Sequence, residues 1–383
     1  MRILVNGLSA RLGGGQTYLI NLLSHVPPDS DWEVFLLCQD NLTIEDFPPN
    51  VRRLKTIINL ENPIKRAIWE SLFINRIIKK NSIDIFFSPG GLLPVARLPS
   101  NIKSVVTFQN MLPFDSEQRK RYPLGYRRIR DWLLERGLSS AMKKADLVIF
   151  ISEFAKKYIF DRLGEIKGKS VVIPHGLSQQ FFPHTEKISK KPTVIGQYDY
   201  FLYVSFIDYY KSQIEVVQAF AELKNKTKII AKLILVGAEN PPYGLKLRQE
   251  ISRLGLEDSV KILGNLPHSD LPYLYQNASI NLFASCTENC PNILLEIMAS
   301  GRPALVSNYD PMPEFASSTV TYFDPKNHTN LLEQWSELLI NMEYGLRQAK
   351  NAMDRVSNMK WDNTAELTWL ALASLLASDS VKS

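Results

Sequence analysis

Residues 280–303 read INLFASCTENCPNILLEIMASGRP, and the two glutamates in this stretch, Glu288 and Glu296, are eight positions apart. The apolar run at the start predicts a strand. Pro291 suits the first turn of a helix, because the N–H group that proline lacks would have no partner there. Apolar residues then recur with helical spacing, and Gly301, followed two positions later by a proline, predicts the end of the helix. The stretch therefore predicts a strand, a loop and a helix.

The two carboxylates occupy different parts of this predicted unit. Glu288 falls in the loop, and Glu296 falls one to two turns into the helix. Carboxylates in these places can bind two hydroxyl-bearing parts of one ligand, while the N–H groups of the helix N-terminus donate hydrogen bonds to an anion between them. A sugar nucleotide fits this arrangement, and two solvated carboxylates are the alternative interpretation.

The glutamate spacing resembles the signature of retaining GT-B glycosyltransferases, specifically family 4, in which seven residues separate two glutamates. The sequence Glu-Asn-Cys-Pro-Asn at 288–292, followed by Pro-Met-Pro-Glu-Phe at 311–315, is similar to the surface-polysaccharide members of that family. Most of the chain can be aligned with the family pattern. The resemblance implies a GT-B fold, in which two Rossmann-like, doubly wound α/β domains face each other across a cleft.

The same resemblance implies roles for individual residues. Glu288 contacts the donor hexose. Glu296, for which the sequence shows no other evident partner, binds the ribose hydroxyls. The backbone of Asn289, Cys290 and Asn292 approaches the hexose and the diphosphate of the donor.

The composition indicates a soluble globular protein of 383 residues, 45% of them hydrophobic and 22% charged. This length is too great for one hydrophobic core and predicts two domains. The first apolar run is too short for a signal peptide, and Lys and Arg interrupt every candidate for a spanning helix. The three sparse cysteines suit a reducing compartment. We therefore expect a cytoplasmic protein.

The net charge of +6 is unevenly distributed along the chain. Residues 1–180 carry 26 Lys and Arg against 17 Asp and Glu, whereas the remainder is slightly acidic. The densest basic run, residues 116–144, interleaves aromatic and aliphatic side chains with its cations. Such a segment is typical of a peripheral contact with an anionic membrane surface or a lipid-phosphate acceptor, and a solvated helix face is the alternative. Nucleic acid is a poorer candidate, because no recognition module is visible.

Apolar strands alternate with helical patterns along the chain, which predicts doubly wound α/β architecture with parallel sheets. The predicted strands are 3–6, 34–37, 83–87, 104–108, 147–151, 171–173, 201–204, 233–236, 260–263, 280–283 and 304–306, and Ser152 is predicted to cap a helix. We predict a first domain at 1–180, a polar linker at about 180–198 and a second domain at 198–362. The resemblance implies that a C-terminal helix, 363–383, packs back onto the first domain.

Gly13, Gly14 and Gly15 follow the first predicted strand and open a helix. Small residues there allow a ligand to approach the backbone, and unpaired N–H groups favour anions. Gly14 and Gly15 are therefore candidates for ligand contacts, with a structural turn as the alternative. No further glycine completes a Gly-x-Gly-x-x-Gly pattern, which argues against a nicotinamide cofactor. The resemblance implies that backbone groups near Leu266 select the nucleotide base.

Lys211 follows the predicted strand 201–204 and is predicted to begin a helix, where its charge can neutralise a diphosphate. Its place resembles that of the phosphate-binding lysine of the family. Phe206 stands where the family usually has an arginine, so one cation is missing from leaving-group stabilisation. Arg11 is the candidate to replace the missing cation, and the alternative is that no residue replaces it. A solvated lysine at a helix start is the alternative interpretation.

Gln109 stands at a strand end where many relatives of the family carry histidine. A glutamine side chain forms hydrogen bonds but does not titrate, so proton transfer should not depend on Gln109. It is a candidate for donor-site or acceptor-site contacts, and a strand-end polar cap is the alternative. His175 is interpreted as structural rather than catalytic.

We expect neither a metal nor a cofactor, and the nucleotide-diphosphate sugar would be a substrate. Asp29 and Asp31 match an Asp-x-Asp metal motif, but they follow two prolines in a surface connection without further ligands, so a turn is predicted. Cys286 and Cys290 also lack further ligands and are interpreted as packing residues.

Together these features predict an enzyme, a retaining hexosyltransferase that moves a sugar from a nucleotide-diphosphate donor to a hydroxyl of a lipid-linked surface glycan. Since no protein nucleophile is assured, we expect front-face displacement, in which the departing phosphate helps to deprotonate the acceptor. Glu288, Lys211 and Gln109 are the candidate catalytic residues. Two alternatives stay open: a sugar-nucleotide epimerase with the same fold, and a non-catalytic sugar-nucleotide-binding subunit.

Overall fold

A computed structural model of the chain describes residues 1–10, 13–28, 30–38, 47–56, 58–183, 196 and 198–380. The chain forms two compact units. The first contains Met1–Phe114, Ile129–Gly176 and the chain from Met359 onward, and the second contains Asp115–Arg128 and Leu177–Asn358. The chain therefore enters the second unit and returns before the first unit is complete.

Thirteen strands and thirteen α-helices are assigned within the described residues. Up to Val172 they are β1 (Arg2–Asn6), α1 (Gly14–Ser24), β2 (Glu33–Cys38), β3 (Val51–Lys55), α2 (Pro63–Lys80), β4 (Ile85–Ser88), β5 (Lys103–Phe108), α3 (Ser116–Arg121), α4 (Tyr126–Lys144), β6 (Leu147–Phe150), α5 (Glu153–Leu163) and β7 (Lys169–Val172). The later elements are β8 (Tyr200–Val204), α6 (Gln213–Thr227), β9 (Lys232–Val236), α7 (Pro241–Arg253), β10 (Val260–Ile262), α8 (Leu271–Asn277), β11 (Ile280–Phe283), α9 (Asn292–Ala299), β12 (Ala304–Ser307), α10 (Met312–Ala316), β13 (Thr321–Phe323), α11 (His328–Ile340), α12 (Met342–Val356) and α13 (Trp361–Ser380).

The first unit is built on a parallel sheet with strand order β3-β2-β1-β4-β5-β6-β7. Its central strands are near-continuous apolar runs, because helices cover both faces of a parallel sheet. On one face, α1 and α13 pack against Val5 and Phe87. On the other face, α2 packs against Phe86, while α4 and α5 pack against Val106.

The second unit is built on a parallel sheet with strand order β10-β9-β8-β11-β12-β13. The strand order reverses between β8 and β11. In a doubly wound sheet, the loops at the carboxyl ends of the strands diverge at such a reversal and leave a crevice, where ligands bind. The corresponding reversal in the first sheet lies between β1 and β4.

Helix α13 completes the core of the first unit. Trp361 and Trp369 are buried among residues of α1 and the first sheet. The Trp369 Nε1–H group donates a hydrogen bond to the carbonyl oxygen of Leu22 at 3.1 Å. Gly176 passes so close to this helix that a Cβ atom there would lie 2.2 Å from the backbone nitrogen of Trp361. The approach of the two chain segments therefore requires glycine at position 176.

The α/β architecture predicted from the sequence is confirmed. Each predicted strand is present with ends that differ by at most about two residues, and the Ser152 Oγ atom accepts a hydrogen bond from the backbone N–H of Ala155, as expected of a helix cap. Two strands were missed. They are β3, which contains three cations and lies at a sheet edge, and β13, which has three residues and lies at the edge of the other sheet.

The unit boundaries differ from the predicted domains in three places. The predicted first domain, 1–180, included Asp115–Arg128 and Leu177–Gln180, which belong to the second unit. The predicted second domain, 198–362, included Met359–Asp362, which belong to the first unit. Most of the predicted linker lies outside the described residues, namely 184–195 and 197. The C-terminal helix begins at Trp361, two residues earlier than predicted. None of the helices in the described part of the chain is long and apolar enough to cross a membrane.

Replacing Trp369 by alanine should destabilise the protein by about 3–5 kcal/mol, because truncation of a fully buried tryptophan leaves a cavity in the core. Chemical denaturation would measure the loss. Leu370→Ala, at an exposed position on the same helix, is the matched control and should change the free energy of unfolding by less than about 0.5 kcal/mol. Similar small effects of both variants would contradict the packing of α13 in this core.

Candidate active site

Two loops lie side by side in the second unit, because they follow β8 and β11, the neighbouring strands at the reversal of the sheet order. The first loop ends in a turn of 3-10 helix, Tyr209–Lys211. The second loop carries Glu288 and leads into α9. Lys211 and Glu288, which are far apart in the sequence, therefore come together at the crevice of the sheet.

Lys211 and Glu288 form an ion pair between the ammonium Nζ and the carboxylate Oε1. Only 5% of the lysine side chain and 16% of the glutamate side chain are exposed. The Lys211 Nζ also lies 4.8 Å from the centre of the Tyr210 ring and 5.3 Å from that of Phe283. Burial opposes the charge of Lys211, but the nearby Glu288 carboxylate and Tyr210 outweigh it and raise the pKa of the lysine above its usual value. Lys211 is therefore charged at neutral pH.

Hydrogen bonds fix the two loops to each other. The backbone N–H of Cys286 donates to the carbonyl oxygen of Tyr210 at 2.8 Å, and the Ser212 Oγ lies 3.5 Å from the Cys286 Sγ. Lys211 does not begin a helix, contrary to the prediction: Ser212 follows it with a left-handed φ of 52°, and α6 starts only at Gln213. Lys211 thus ends the 3-10 turn, and from this position its side chain reaches Glu288.

Helix α9 begins at Asn292, with Pro291 as its N-cap residue rather than in its first turn. Asn289 and Cys290 are buried just before it. Gly301 has a left-handed φ of 69° after the C-cap residue, as expected of a glycine that ends a helix. The predicted strand, loop and helix are thus present. Their order places one glutamate before the N-terminus of α9 and the other within the helix.

Glu296 is 8% exposed and has two protein partners. Its Oε2 atom accepts a hydrogen bond from the Tyr275 hydroxyl at 2.9 Å, and its Oε1 atom lies 3.4 Å from the His268 Nε2. The expectation that Glu296 has only ribose hydroxyls for partners is therefore wrong. Burial, together with the Glu296 charge, raises the pKa of Tyr275 well above its usual value, so the tyrosine remains a donor at neutral pH.

His268 is held by a second contact on its other ring nitrogen. The Gln180 Nε2 lies 3.1 Å from the His268 Nδ1. An amide nitrogen can only donate, so in neutral His268 the Nδ1 accepts and the Nε2 carries the hydrogen that points to Glu296. The hydrogen bond to Glu296 raises the pKa of His268, although burial partly opposes this. Sequence reasoning missed both His268 and Tyr275, since neither stands in a recognisable motif.

The candidates of the first unit have mainly structural surroundings. Gly13 adopts a left-handed φ of 65° before α1, and Gly14 and Gly15 form the first turn of that helix. A Cβ atom on Gly15 would meet nothing within 4 Å, so no close approach of protein atoms requires glycine there. The Gln109 Nε2 donates to the carbonyl oxygen of Pro89 at 3.0 Å. His175 is buried, with its ring centre 5.0 Å from that of Tyr18.

Seven of the ten predicted site residues belong to the second unit: Lys211, Leu266, Glu288, Asn289, Cys290, Asn292 and Glu296. Gln109, Gly14 and Gly15 belong to the first. Arg11, the proposed compensating cation, and Asp29 of the rejected metal motif lie outside the described residues. Among the residues that are described, no group of three or more His, Cys, Asp or Glu side chains is arranged to hold a metal ion.

Two family models match the chain. The model described as Glycosyltransferase Family 4 matches residues 12–181, and that described as Glycosyl transferases group 1 matches residues 184–355. The O-antigen chain mannosyltransferase B of Escherichia coli is 25% identical over 249 residues, which cover 61% of this chain and 62% of the relative.

Solved structures show the same fold at low sequence identity. Sucrose-phosphate synthase from Thermosynechococcus elongatus has a TM-score of 0.80 at 19% identity, covering 99% of this chain and all of the other. Anabaena HepE, in complex with UDP and glucose, has a TM-score of 0.74 at 18% identity, covering 98% of this chain and all of the other. With its two Rossmann-like units and both family matches, the chain belongs to the GT-B glycosyltransferases.

His268 should make stability depend on pH. Its pKa is raised in the folded protein above the ~6.5 of an unfolded histidine. Its stabilising contribution should therefore be complete below about pH 6.5 and should disappear as the pH rises through the folded-state pKa. Urea denaturation from pH 5.5 to 8.5 should show that His268→Gln destabilises the protein more at the acidic end. In a Glu296→Gln background the same substitution should have no such pH dependence; its persistence would contradict the assigned contact.

Proposed function

We propose that the protein is a retaining glycosyltransferase that moves a hexosyl unit from a nucleoside diphosphate sugar to a hydroxyl of a lipid-linked surface glycan. The observation that carries the proposal is the buried Lys211–Glu288 ion pair beside the start of α9, with Glu296 on the same helix. A nucleoside diphosphate sugar contains the chemical groups that match these three side chains.

The donor can divide the ion pair between its own groups. A phosphate oxygen can take the Lys211 ammonium, while hydroxyls of the hexose donate to the Glu288 carboxylate, so neither buried charge loses its partner. The N-terminus of α9 favours the same anion. Glu296 keeps one oxygen on Tyr275, and its longer contact, to His268, leaves the other oxygen available to a ribose hydroxyl.

The relatives support a sugar nucleotide as donor and a surface glycan as product. HepE was solved with UDP and glucose, and the Escherichia coli relative is named for the O-antigen chain. In the proposed step the bond between the anomeric carbon and the diphosphate breaks on the face where the acceptor hydroxyl attacks, and that hydroxyl's proton passes to the departing phosphate. Lys211 stabilises the charge on the leaving group, and Glu288 orients the hexose. Gln109 takes no part in proton transfer.

Lys211→Ala should lower kcat at least about tenfold with a smaller change in nucleoside diphosphate affinity, because the ammonium matters most as the diphosphate departs. Steady-state kinetics and calorimetry with the donor chosen from UDP-, GDP-, dTDP- and ADP-sugars would measure both. Lys226→Ala, at an exposed position on α6, is the control. A Lys211→Ala/Glu288→Gln double variant lacks the unpaired buried carboxylate, so comparing its denaturation midpoint with that of Lys211→Ala shows whether the single variant loses folding. Unchanged turnover would remove Lys211 from the reaction.

The same assay separates the alternatives. A transferase releases nucleoside diphosphate at a rate that depends on the acceptor, whereas a sugar-nucleotide epimerase converts the donor without any acceptor. A non-catalytic subunit binds the donor tightly but does not turn it over, whichever acceptor is supplied. Donor conversion that is independent of acceptor would overturn the proposed transfer.

The basic run 116–144 is divided by the structure. Arg121 pairs with Glu215, and Arg127 lies 3.8 Å from Asp208, all within the second unit. Arg128 donates to the carbonyl oxygens of neighbouring residues. Those arginines therefore have partners in the protein, and the membrane contact that we propose begins later in α4.

The outer face of α4 combines exposed apolar side chains with exposed cations. Ile129, Trp132 and Leu133 are exposed in the first unit, and Lys143 and Lys144 follow on the same helix. Helix α2 covers the same face of the first sheet as α4. Phe86 packs against α2 and Val106 packs against α4, and these two side chains point to the same side of the sheet.

Helix α2 repeats this pattern. It exposes Ile64, Ile68 and Leu72 at helical spacing, together with Lys65 and Lys79. Apolar residues flanked by cations fit the interface of an anionic bilayer, where a lipid-linked acceptor is held.

Reversing Lys143 and Lys144 to glutamate, together with Trp132→Ser, should abolish sedimentation with anionic vesicles at low salt, because each cation near anionic lipid contributes about 1 kcal/mol. Binding by the unmodified protein should weaken as salt rises. Lys226→Glu/Lys228→Glu, at exposed positions of the second unit, changes the net charge equally and should leave sedimentation intact. Unmodified protein that ignores anionic vesicles at low salt would return α4 to the solvated-face interpretation.

A further inference from the structure

A short segment of the second unit bridges both loops of the candidate active site. The segment is Asp115–Tyr122, here called the α3 clasp, and it consists of helix α3 with one flanking residue on each side. It leaves the first sheet after β5, yet it packs with the second unit. The Tyr122 ring meets the Tyr209 ring edge-on, with centres 5.0 Å apart. The clasp therefore lies against the loop that carries Lys211.

One end of the clasp holds the loop that carries Glu288. Asp115 caps α3, since its Oδ1 accepts a hydrogen bond from the backbone N–H of Gln118 at 3.0 Å. The other carboxylate oxygen, Oδ2, accepts a hydrogen bond from the hydroxyl of Thr287. Thr287 is buried and directly precedes Glu288. Asp115 therefore joins the start of α3 to the backbone that positions the glutamate.

The opposite end of the clasp holds the loop that carries Lys211. The Arg121 guanidinium donates to Glu215 Oε1 at 2.6 Å and to Ser212 Oγ at 3.3 Å. Ser212 directly follows Lys211, is buried, and has the left-handed backbone that non-glycine residues adopt only at a cost. Contacts from outside the loop are needed to maintain that conformation.

Both contacts are made by one rigid element. Helix α3 has six residues and is therefore about 9 Å long. Its two ends hold the residues adjacent to the two members of the ion pair. A third contact of the helix, between Glu117 and Lys326, is exposed on both sides, and such surface pairs contribute little.

We propose that Asp115 and Arg121 are positioning residues for the reaction, and that they act through Thr287 and Ser212 to hold the ion pair in the geometry that receives the donor. This inference rests on the proposed function. The new element is that turnover depends on Asp115 and Arg121, whose side chains contact other residues of the protein and not the donor. A misplacement of reacting groups by about 1 Å can lower a rate by as much as about 100-fold.

Kinetics of matched variants test the proposal. Thr287→Val keeps the shape of the side chain and removes the hydrogen-bond donor, and Arg121→Gln removes the guanidinium. Both should lower kcat about tenfold or more while the nucleoside diphosphate Kd changes less than about twofold, because the contacts of Glu296 do not involve the clasp. Thr287→Ser keeps the hydroxyl and should restore turnover. Glu117→Ala, on the same helix, should leave turnover unchanged.

A second measurement does not depend on activity. Cys286 is buried with its Sγ beside Ser212, and Cys38 is buried in the first unit. Alkylation followed by peptide mass spectrometry reports each cysteine separately. Release of the clasp should speed the alkylation of Cys286 at least severalfold in Thr287→Val and Arg121→Gln, with no change at Cys38.

Lower kcat with preserved nucleotide affinity and faster alkylation of Cys286 supports the proposal. Equal losses of kcat and nucleotide affinity, or an unchanged kcat, overturn it. Unmodified protein that turns over no donor with any acceptor defeats the proposed function instead. In that case the alkylation rate still tests the clasp. Faster alkylation of Cys286 in the variants supports the inference that the clasp fixes the two loops, and an unchanged rate overturns that inference.

Discussion

The ammonium group of Lys211 is almost completely buried, and a buried cation requires a counter-charge close to it. Removing an ion from water costs several kcal/mol, and only good geometry with further contacts offsets that cost. Glu288 supplies the charge, while the rings of Tyr210 and Phe283 surround the ammonium. The pair can form only because β8 and β11 are neighbours in the sheet. Three further features keep the two charged groups together. They are the backbone hydrogen bond between the loops, the left-handed conformation of Ser212 and the contacts of the α3 clasp with both loops.

The two glutamates of the signature stretch have different electrostatic surroundings. Glu288 faces a fixed cation, whereas Glu296 faces a tyrosine hydroxyl and an imidazole. A buried ion pair is weak evidence for stability, because apolar replacements of such pairs are often at least as stable. The ion pair is better explained as a binding site, in which a ligand supplies a new partner to the lysine and to the glutamate. The proposed donor, which combines a diphosphate with a hydroxylated sugar, is such a ligand.

The first unit is covered unevenly. On one face of its sheet, α13 contributes two buried tryptophans and completes a large apolar core. On the other face, α2 and α4 bury one side against the sheet and expose further apolar residues on their outer sides. A helix in a soluble protein usually presents polar residues outward. On α2 and α4 the exposed apolar residues stand beside exposed cations, and this combination suits the face to the proposed membrane contact.

Local sequence patterns determined the architecture of this protein. Apolar runs bounded by glycine, proline and capping residues are properties of a few consecutive residues, so the parallel strands, the cap at Ser152 and the strand, loop and helix around Glu288 were predictable. The edge strand β3 was missed because its charged residues do not form an apolar run. Long-range contacts could not be predicted from the sequence either. Only tertiary structure joined Lys211 to Glu288, gave Glu296 its partners and placed Asp115–Arg128 with the second unit. These contacts link residues far apart in the chain, whose meeting depends on strand order and helix packing, which no local pattern encodes.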